Sequence, residues 1–216
     1  MSISDKNSRL ILIRHGESLW NAKGLWTGWR DIGLTEKGRQ EALFAAKVIK
    51  GIIIHLAITS DLKRAYHTLD IIKQELKYVN LKTVKDKNVR ERNYGKYTGF
   101  SKWKIKGDLG TDRFNQLRRG WDVPIPEGES LKDVYKRVLT NYNMHILPAI
   151  KKAQNVLFVT HGNTNRALIK HLENISDSKI RGVEMLTGEV IVYQMDKTGM
   201  IVTKEKRAVN HNHGNQ

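Results

Sequence analysis

Cysteine is missing from the 216-residue chain, which excludes a disulfide framework, a thiolate nucleophile and a thiolate metal site. There are three prolines, and no apolar run approaches the roughly 18 residues that span a bilayer. The opening residues Met1 to Ser8 hold no apolar core, so they do not read as a secretory signal, and a cytoplasmic enzyme is the simplest reading. Acidic residues are scarce, with 22 Asp plus Glu against 38 Lys plus Arg and a formal charge of +16. That excess attracts polyanions: nucleic acid, an anionic membrane surface or small phosphorylated metabolites. No nucleic-acid module stands in the chain. Hydrophobic residues at 39% and charged residues at 28% give a globular balance, and the length suits one α/β domain over residues 1–209, followed by a polar tail from Asn210 that reads as flexible.

What is present is a set of short apolar runs that stop abruptly at polar motifs. Leu10-Ile11-Leu12-Ile13 reads as a buried strand ending at Arg14-His15-Gly16-Glu17. Thr35 to Lys50 reads as a helix capped by Thr35, and Ile52 to Thr59 as a second buried strand cut by Ser60-Asp61. Leu62, Ala65, Leu69, Ile72 and Leu76 recur at helical spacing. A weaker strand falls near Leu81 to Val84, while Asn88 to Pro126 shows no clean period. Ser130 caps a helix with inner residues Leu131, Val134, Val138 and Leu139, limited or kinked by Pro148. Val156 to Val159 is a further buried strand, ending at Thr160-His161-Gly162-Asn163 before a helix over Arg166 to Leu172. Glu189 to Met195 and Ile201 to Lys204 read as a terminal pair of strands. The alternation implies an α/β fold, a mostly parallel central sheet with helices on both faces. Ligands bind such sheets beyond the carboxyl ends of the strands, so Arg14, His15, Arg64 and His161 are expected in one crevice.

Those residues suit phosphoryl transfer. A neutral imidazole is a competent phosphoryl acceptor near pH 7, which points to His15 as nucleophile, with Gly16 allowing the backbone to turn sharply and approach a phosphate. The bland alternative for His15 is a strand cap. The transfer needs positive charge and donors held around the equatorial oxygens: Arg14, Arg64 and His161, with Asn21 and Asn163 as neutral donors. Arginine grips phosphate through paired hydrogen bonds that lysine cannot form. Glu91, in Glu91-Arg92-Asn93-Tyr94-Gly95, is the candidate general acid and base; its bland reading is a loop salt bridge with Arg90 or Arg92. His55, His67, His145 and His171 read as structural or solvent-facing, and His211 and His213 as part of the polar tail.

The chain resembles the histidine phosphatase superfamily, and within it the cofactor-dependent phosphoglycerate mutases. The segment Arg14-His15-Gly16-Glu17-Ser18-Leu19-Trp20-Asn21 carries the family signature, followed by Thr27-Gly28-Trp29-Arg30-Asp31 and Leu34-Thr35-Glu36-Lys37-Gly38. Ser60 to Thr68 resembles the segment with the second phosphate arginine, Arg64, and Thr160-His161-Gly162-Asn163 the second catalytic histidine. Three features resemble mutases more than phosphatases: Glu91 to Gly95 with Gly99 and Lys102, the pair Arg118-Arg119, and Asn163. The chain's aromatics fit these motifs better than a base-stacking platform.

The resemblance implies a phosphoglycerate mutase-like fold and interconversion of 3-phosphoglycerate and 2-phosphoglycerate through phosphohistidine at His15, primed by 2,3-bisphosphoglycerate and needing no metal. It assigns Arg14, Arg64, Glu91 and His161 to catalysis beside His15. It assigns Asn21, Thr27, Gly28, Arg64, Glu91, Arg92, Asn93, Tyr94, Lys102, Arg118, Arg119, Gly162 and Asn163 to substrate binding. Small phosphorylated substrates are the implied partners, with no nucleic acid and no membrane, and relatives assemble as homodimers or homotetramers. Departures from the pattern are the short stretch over residues 121–130, Leu186 before Thr187-Gly188, and the tail from His211 to Gln216.

Overall fold

The computed structural model describes residues 7–208; the tail with His211 and His213 lies outside the described residues. In chain order the elements are β1 (Ser8–Arg14), α1 (Leu19–Ala22), α2 (Glu36–Val48), β2 (Leu56–Thr59), α3 (Lys63–Glu75), β3 (Thr83–Lys85), α4 (Lys102–Leu109), α5 (Thr111–Arg119), α6 (Leu131–Asn141), α7 (Leu147–Lys151), β4 (Val156–Thr160), α8 (Gly162–Leu172), β5 (Val190–Met195) and β6 (Ile201–Ala208). The sheet order is β3-β2-β4-β1-β5-β6. β3, β2, β4 and β1 run parallel, and β5 is antiparallel to both of its neighbours.

Strand alternation divides the core. Leu10 and Leu12 of β1 pack on one face with Val134 and Val138 of α6 and Ala167 and Leu168 of α8. Ile11 and Ile13 pack on the other with Ala45 and Ala46 of α2 and Leu69 and Ile72 of α3. With both faces covered, the central residues of β1, β2 and β4 must be apolar, which is why they read so clearly. A third cluster of Trp26, Ile105, Phe114, Leu117 and Ile125 lies apart from the sheet core and joins the connection after β1 to α4 and α5.

Register fixes where the polar motifs emerge. Arg14 pairs with Thr160, and Thr59 pairs with Val159. The residues that follow, His15, His161 and Ser60, therefore leave three adjacent strands at one edge.

The differences from the sequence reading have local causes. The strand expected from Ile52 begins only at Leu56, because Tyr78 supplies its hydroxyl to Ile54 N–H and Ile52 C=O in place of a neighbouring strand. α4 and α5 have no clean period because α4 buries Ile105 alone, and α5 only Phe114 and Leu117. The helix after His161 starts at Gly162 rather than Arg166, with Asn165 N–H bonded to His161 C=O. At Pro148 the chain stays helical, passing from α6 to α7 through a π-helical turn over Tyr142–Ile146. Thr35 and Ser130 act as N-caps as expected, each side chain accepting a backbone N–H.

Candidate active site

His15 is the first residue past β1, its N–H bonded to Thr160 C=O at 2.9 Å. Its Nδ1 lies 2.7 Å from Gly16 C=O. A carbonyl can only accept, so Nδ1 carries the hydrogen and the lone pair sits on Nε2. Arg64 Nε donates to that Nε2 at 3.2 Å. Burial, then the charges of Arg64 and Arg14, push the His15 imidazole well below the ordinary histidine range, so the ring is neutral at pH 7.

Packing within the protein also requires a glycine at position 16. It is not among the glycines with positive φ; a Cβ there would stand 2.0 Å from Gly38 C=O. Its smallness lets the loop after β1 press on the first turn of α2. Gly38 returns the constraint, since its own Cβ would meet Glu17 C=O at 2.1 Å.

His161 is fully buried as the residue before α8, with its ring 5.0 Å from that of His15. Its Nε2 is 2.7 Å from Ser60 Oγ, and burial, then the Arg64 charge, lowers its pKa well below the usual value. Arg64, itself buried and lowered by that burial to about 10, donates through its terminal nitrogens to Arg30 C=O and Gly28 C=O. Much of its fork is thus held by the protein, and its closest role is to orient His15. Arg14 donates to Met185 C=O at 2.7 Å, leaving its buried Nε without a partner among the described residues.

Glu91 is held from the opposite wall. Its Oε1 accepts from Arg92 N–H at 2.6 Å and from the Asn163 side chain at 3.0 Å. The same Asn163 amide donates to the Tyr94 hydroxyl at 2.8 Å, and Arg166 donates to Asn163 Oδ1 at 2.8 Å. Tyr94 stands edge-on to Trp26, with ring centroids 4.2 Å apart. Burial, then Glu91, raises its phenol above the ordinary value.

One cleft brings together Arg14, His15, Asn21, Thr27, Gly28, Arg64, Glu91, Tyr94, Lys102, Arg118, Arg119, Gly162 and Asn163. Asn21 Oδ1 is taken by Ser18 in a capping box, which leaves its amide nitrogen as the donor it can offer. Lys102 forms no ion pair among the described residues, and burial with the nearby Arg118 and Arg14 lowers its pKa to about 8.

Arg92 and Asn93 do not join the cleft wall. Arg92 is fully buried and donates to Leu117 C=O and Val123 C=O at 2.9 Å. Asn93 accepts from Gly95 N–H and, through its carbonyl, from Glu129 N–H. Both tie the Glu91–Tyr94 loop to the short stretch 121–130 beneath it. These contacts brace the loop together with Trp29 and Arg137, which both donate to Glu91 C=O.

Sequence reasoning missed Arg166, Glu184 and Met185, which also line the cleft. Arg166 sits in a buried helix turn and reads as part of a motif. Glu184 and Met185 follow a stretch without periodicity, and only their position before β5 was available as a signal.

The family model of the histidine phosphatase superfamily (branch 1) matches residues 10–206. A 2,3-bisphosphoglycerate-dependent phosphoglycerate mutase of Parvibaculum lavamentivorans is 40% identical over 198 residues, covering 91% of this chain and 94% of its own. A phosphoglycerate mutase of Schizosaccharomyces pombe is 42% identical with the same coverage. Among solved structures, Bacillus stearothermophilus YhfR is 26% identical with a TM-score of 0.76, covering 90% of this chain and 94% of its own. A mycobacterial glucosyl-3-phosphoglycerate phosphatase at 24% identity and a TM-score of 0.76, covering 95% of this chain and 99% of its own, shares the fold. With the paired histidines and arginines at the edge of its sheet, the chain belongs to the histidine phosphatase superfamily, branch 1.

Proposed function

We propose that the chain is a 2,3-bisphosphoglycerate-dependent phosphoglycerate mutase, interconverting 3-phosphoglycerate and 2-phosphoglycerate with His15 Nε2 as the phosphoryl acceptor. The observation that carries this reading is the fixed tautomer of His15: with Nδ1–H committed to Gly16 C=O, the lone pair is placed beside Arg64 in a cleft rich in cations. The names of its curated relatives at about two-fifths identity support the substrate.

The cleft suits a bisphosphate: Arg14 Nε has no partner among the described residues, Lys102 stands among like charges, and a charged ligand would satisfy both. When bound, 2,3-bisphosphoglycerate supplies the phosphoryl group that loads His15. As Nε2 bonds to phosphorus, positive charge spreads over the ring and Gly16 C=O stabilises it through Nδ1–H. Arg64 Nε, released from the lone pair, is then free to donate to a phosphoryl oxygen. Arg14 supplies positive charge to the other equatorial oxygens, and His161, its ring neutral, a hydrogen bond. Glu91 accepts the proton of the attacking 2-hydroxyl and returns it to the departing oxygen in the reverse step. Arg118, Arg119, Tyr94 and Lys102 hold the far end of the phosphoglycerate.

Water competes with the hydroxyl for the same phosphohistidine, so the deciding assay follows two products. Purified protein is given 3-phosphoglycerate with and without catalytic 2,3-bisphosphoglycerate, coupled to enolase, with free phosphate tracked in parallel. Cofactor-stimulated isomerisation with little phosphate release is expected. Phosphate release without isomerisation would overturn the mutase and leave a phosphatase. Replacing His15→Asn should abolish acid-labile phosphoenzyme in either case, and a variant that still took up labelled phosphate would remove His15 as acceptor.

A further inference from the structure

The far end of the cleft already holds an anion of the protein's own. Glu184 Oε1 lies 2.9 Å from Arg119 Nη2 and 4.0 Å from Arg118 Nη2. These are the arginines to which the proposed reaction gives the far end of the substrate. The pair is part-exposed, with side-chain exposures of 27% for Arg119 and 43% for Glu184, so the contact is open to exchange with a ligand.

The backbone around Glu184 is pinned on both sides by site arginines. Arg166 Nε donates to Val183 C=O at 2.8 Å, and Arg14 Nη1 donates to Met185 C=O at 2.7 Å. Arg166 also donates to Arg119 C=O at 2.9 Å, joining the two partners of the ion pair at the main chain. The carboxylate is therefore presented to the cleft by a fixed segment, while its side chain retains freedom to turn. Burial opposes ionisation of Glu184, but the charges of Arg119 and Arg118 outweigh it and hold the carboxyl below its ordinary value, so it is an anion at neutral pH.

We infer that Glu184 is a resident counter-anion that an incoming two-ended phosphate ligand must displace from Arg118 and Arg119, making it a specificity-determining residue that weakens binding of ligands whose distal group is a poor competitor. The inference rests on the proposed use of this cleft by phosphoglycerates. In the free protein Glu184 offsets the repulsion between two neighbouring guanidinium groups; on binding, that benefit passes to the ligand and the carboxylate turns to solvent. A strong distal anion replaces it at a cost no greater than the pair itself is worth. A ligand with a neutral distal end cannot, and leaves the cleft with its resident pair.

The test compares wild type, Glu184→Gln and Glu184→Asp by calorimetry on the unphosphorylated protein, with 3-phosphoglycerate and with inorganic pyrophosphate as a two-ended anion that makes no demand on a carbon skeleton. An exposed pair of this kind is worth up to about 1 kcal/mol, or about five-fold in affinity. Glu184→Gln is expected to tighten both ligands by about two- to five-fold, with KM falling in step, and Glu184→Asp to stay near wild type. Unchanged or weaker pyrophosphate binding in Glu184→Gln would overturn the inference, since it would make the carboxylate a mere orienting partner of the arginines. Tighter pyrophosphate binding with no binding of 3-phosphoglycerate by either protein would sustain the gate and reject the assigned substrate.

Discussion

A phosphoryl acceptor has to keep its lone pair while surrounded by the cations that attract phosphate. At His15 the two demands agree, because the nearby Arg64 and Arg14 charges and burial all favour the neutral ring. Lys102 shows the cost of the same crowding. Burial and the adjacent arginines bring its folded pKa down to about 8, so the ammonium, proposed to attract substrate, is lost as pH rises through that value. Since kcat/KM reports the free enzyme, it should fall above about pH 8. Lys102→Arg, which keeps its charge, should remove that alkaline limb; an unchanged limb would assign it to another group. The meeting of Arg14, His15, Arg64 and His161 was legible in the sequence because each stands at or shortly after the end of an apolar strand. That Arg92 and Asn93 face protein groups and not the cleft was not legible, because a loop arginine or asparagine looks the same whether it meets a ligand or a carbonyl. Glu184 was invisible because its partners lie in α5, distant in sequence.

The elements hold these groups through backbone contact as much as through side chains. The loop after β1 and the first turn of α2 touch at Gly16 and Gly38, with no room for a methyl on either. Gly38→Ala should therefore push Glu17 and the His15 loop away, costing about 1–3 kcal/mol of stability as overpacking does and lowering kcat with it. Urea unfolding and steady-state kinetics check both. Gly33→Ala is the control, since nothing lies within 4 Å of its Cβ position; an equal loss there would point to chain stiffness rather than collision. The sheet and its flanking helices were readable because β1, β2 and β4 are buried on both faces and α2, α3 and α6 bury a regular stripe. α4 and α5 were not, because they bury one and two side chains against a satellite cluster and leave no period to detect.

For the molecule as a whole, the +16 charge has a local expression. The cleft is lined by the basic side chains of Arg14, Arg64, Lys102, Arg118, Arg119 and Arg166 against the carboxylates of Glu91 and Glu184. A basic cleft set in a basic surface focuses the field that draws a small anion in, while the walls contribute a medium of low dielectric. Such steering acts on encounter, not on the proposed transfer step at His15, where Arg64 is hydrogen-bonded to the ring and the His161 ring lies 5.0 Å away, both shielded from salt by burial. Raising salt from about 10 mM to about 150 mM shrinks the Debye length from about 30 Å to about 8 Å. Across that range kcat/KM for 3-phosphoglycerate should fall by about tenfold through KM, with kcat moving much less. Stopped-flow and steady-state measurements in a salt series decide it. A kcat that fell in proportion would mean that salt reaches the buried arginine and histidine themselves. A flat kcat/KM would mean that the surface charge has no part in capture, leaving only the arginines and lysine that touch the ligand.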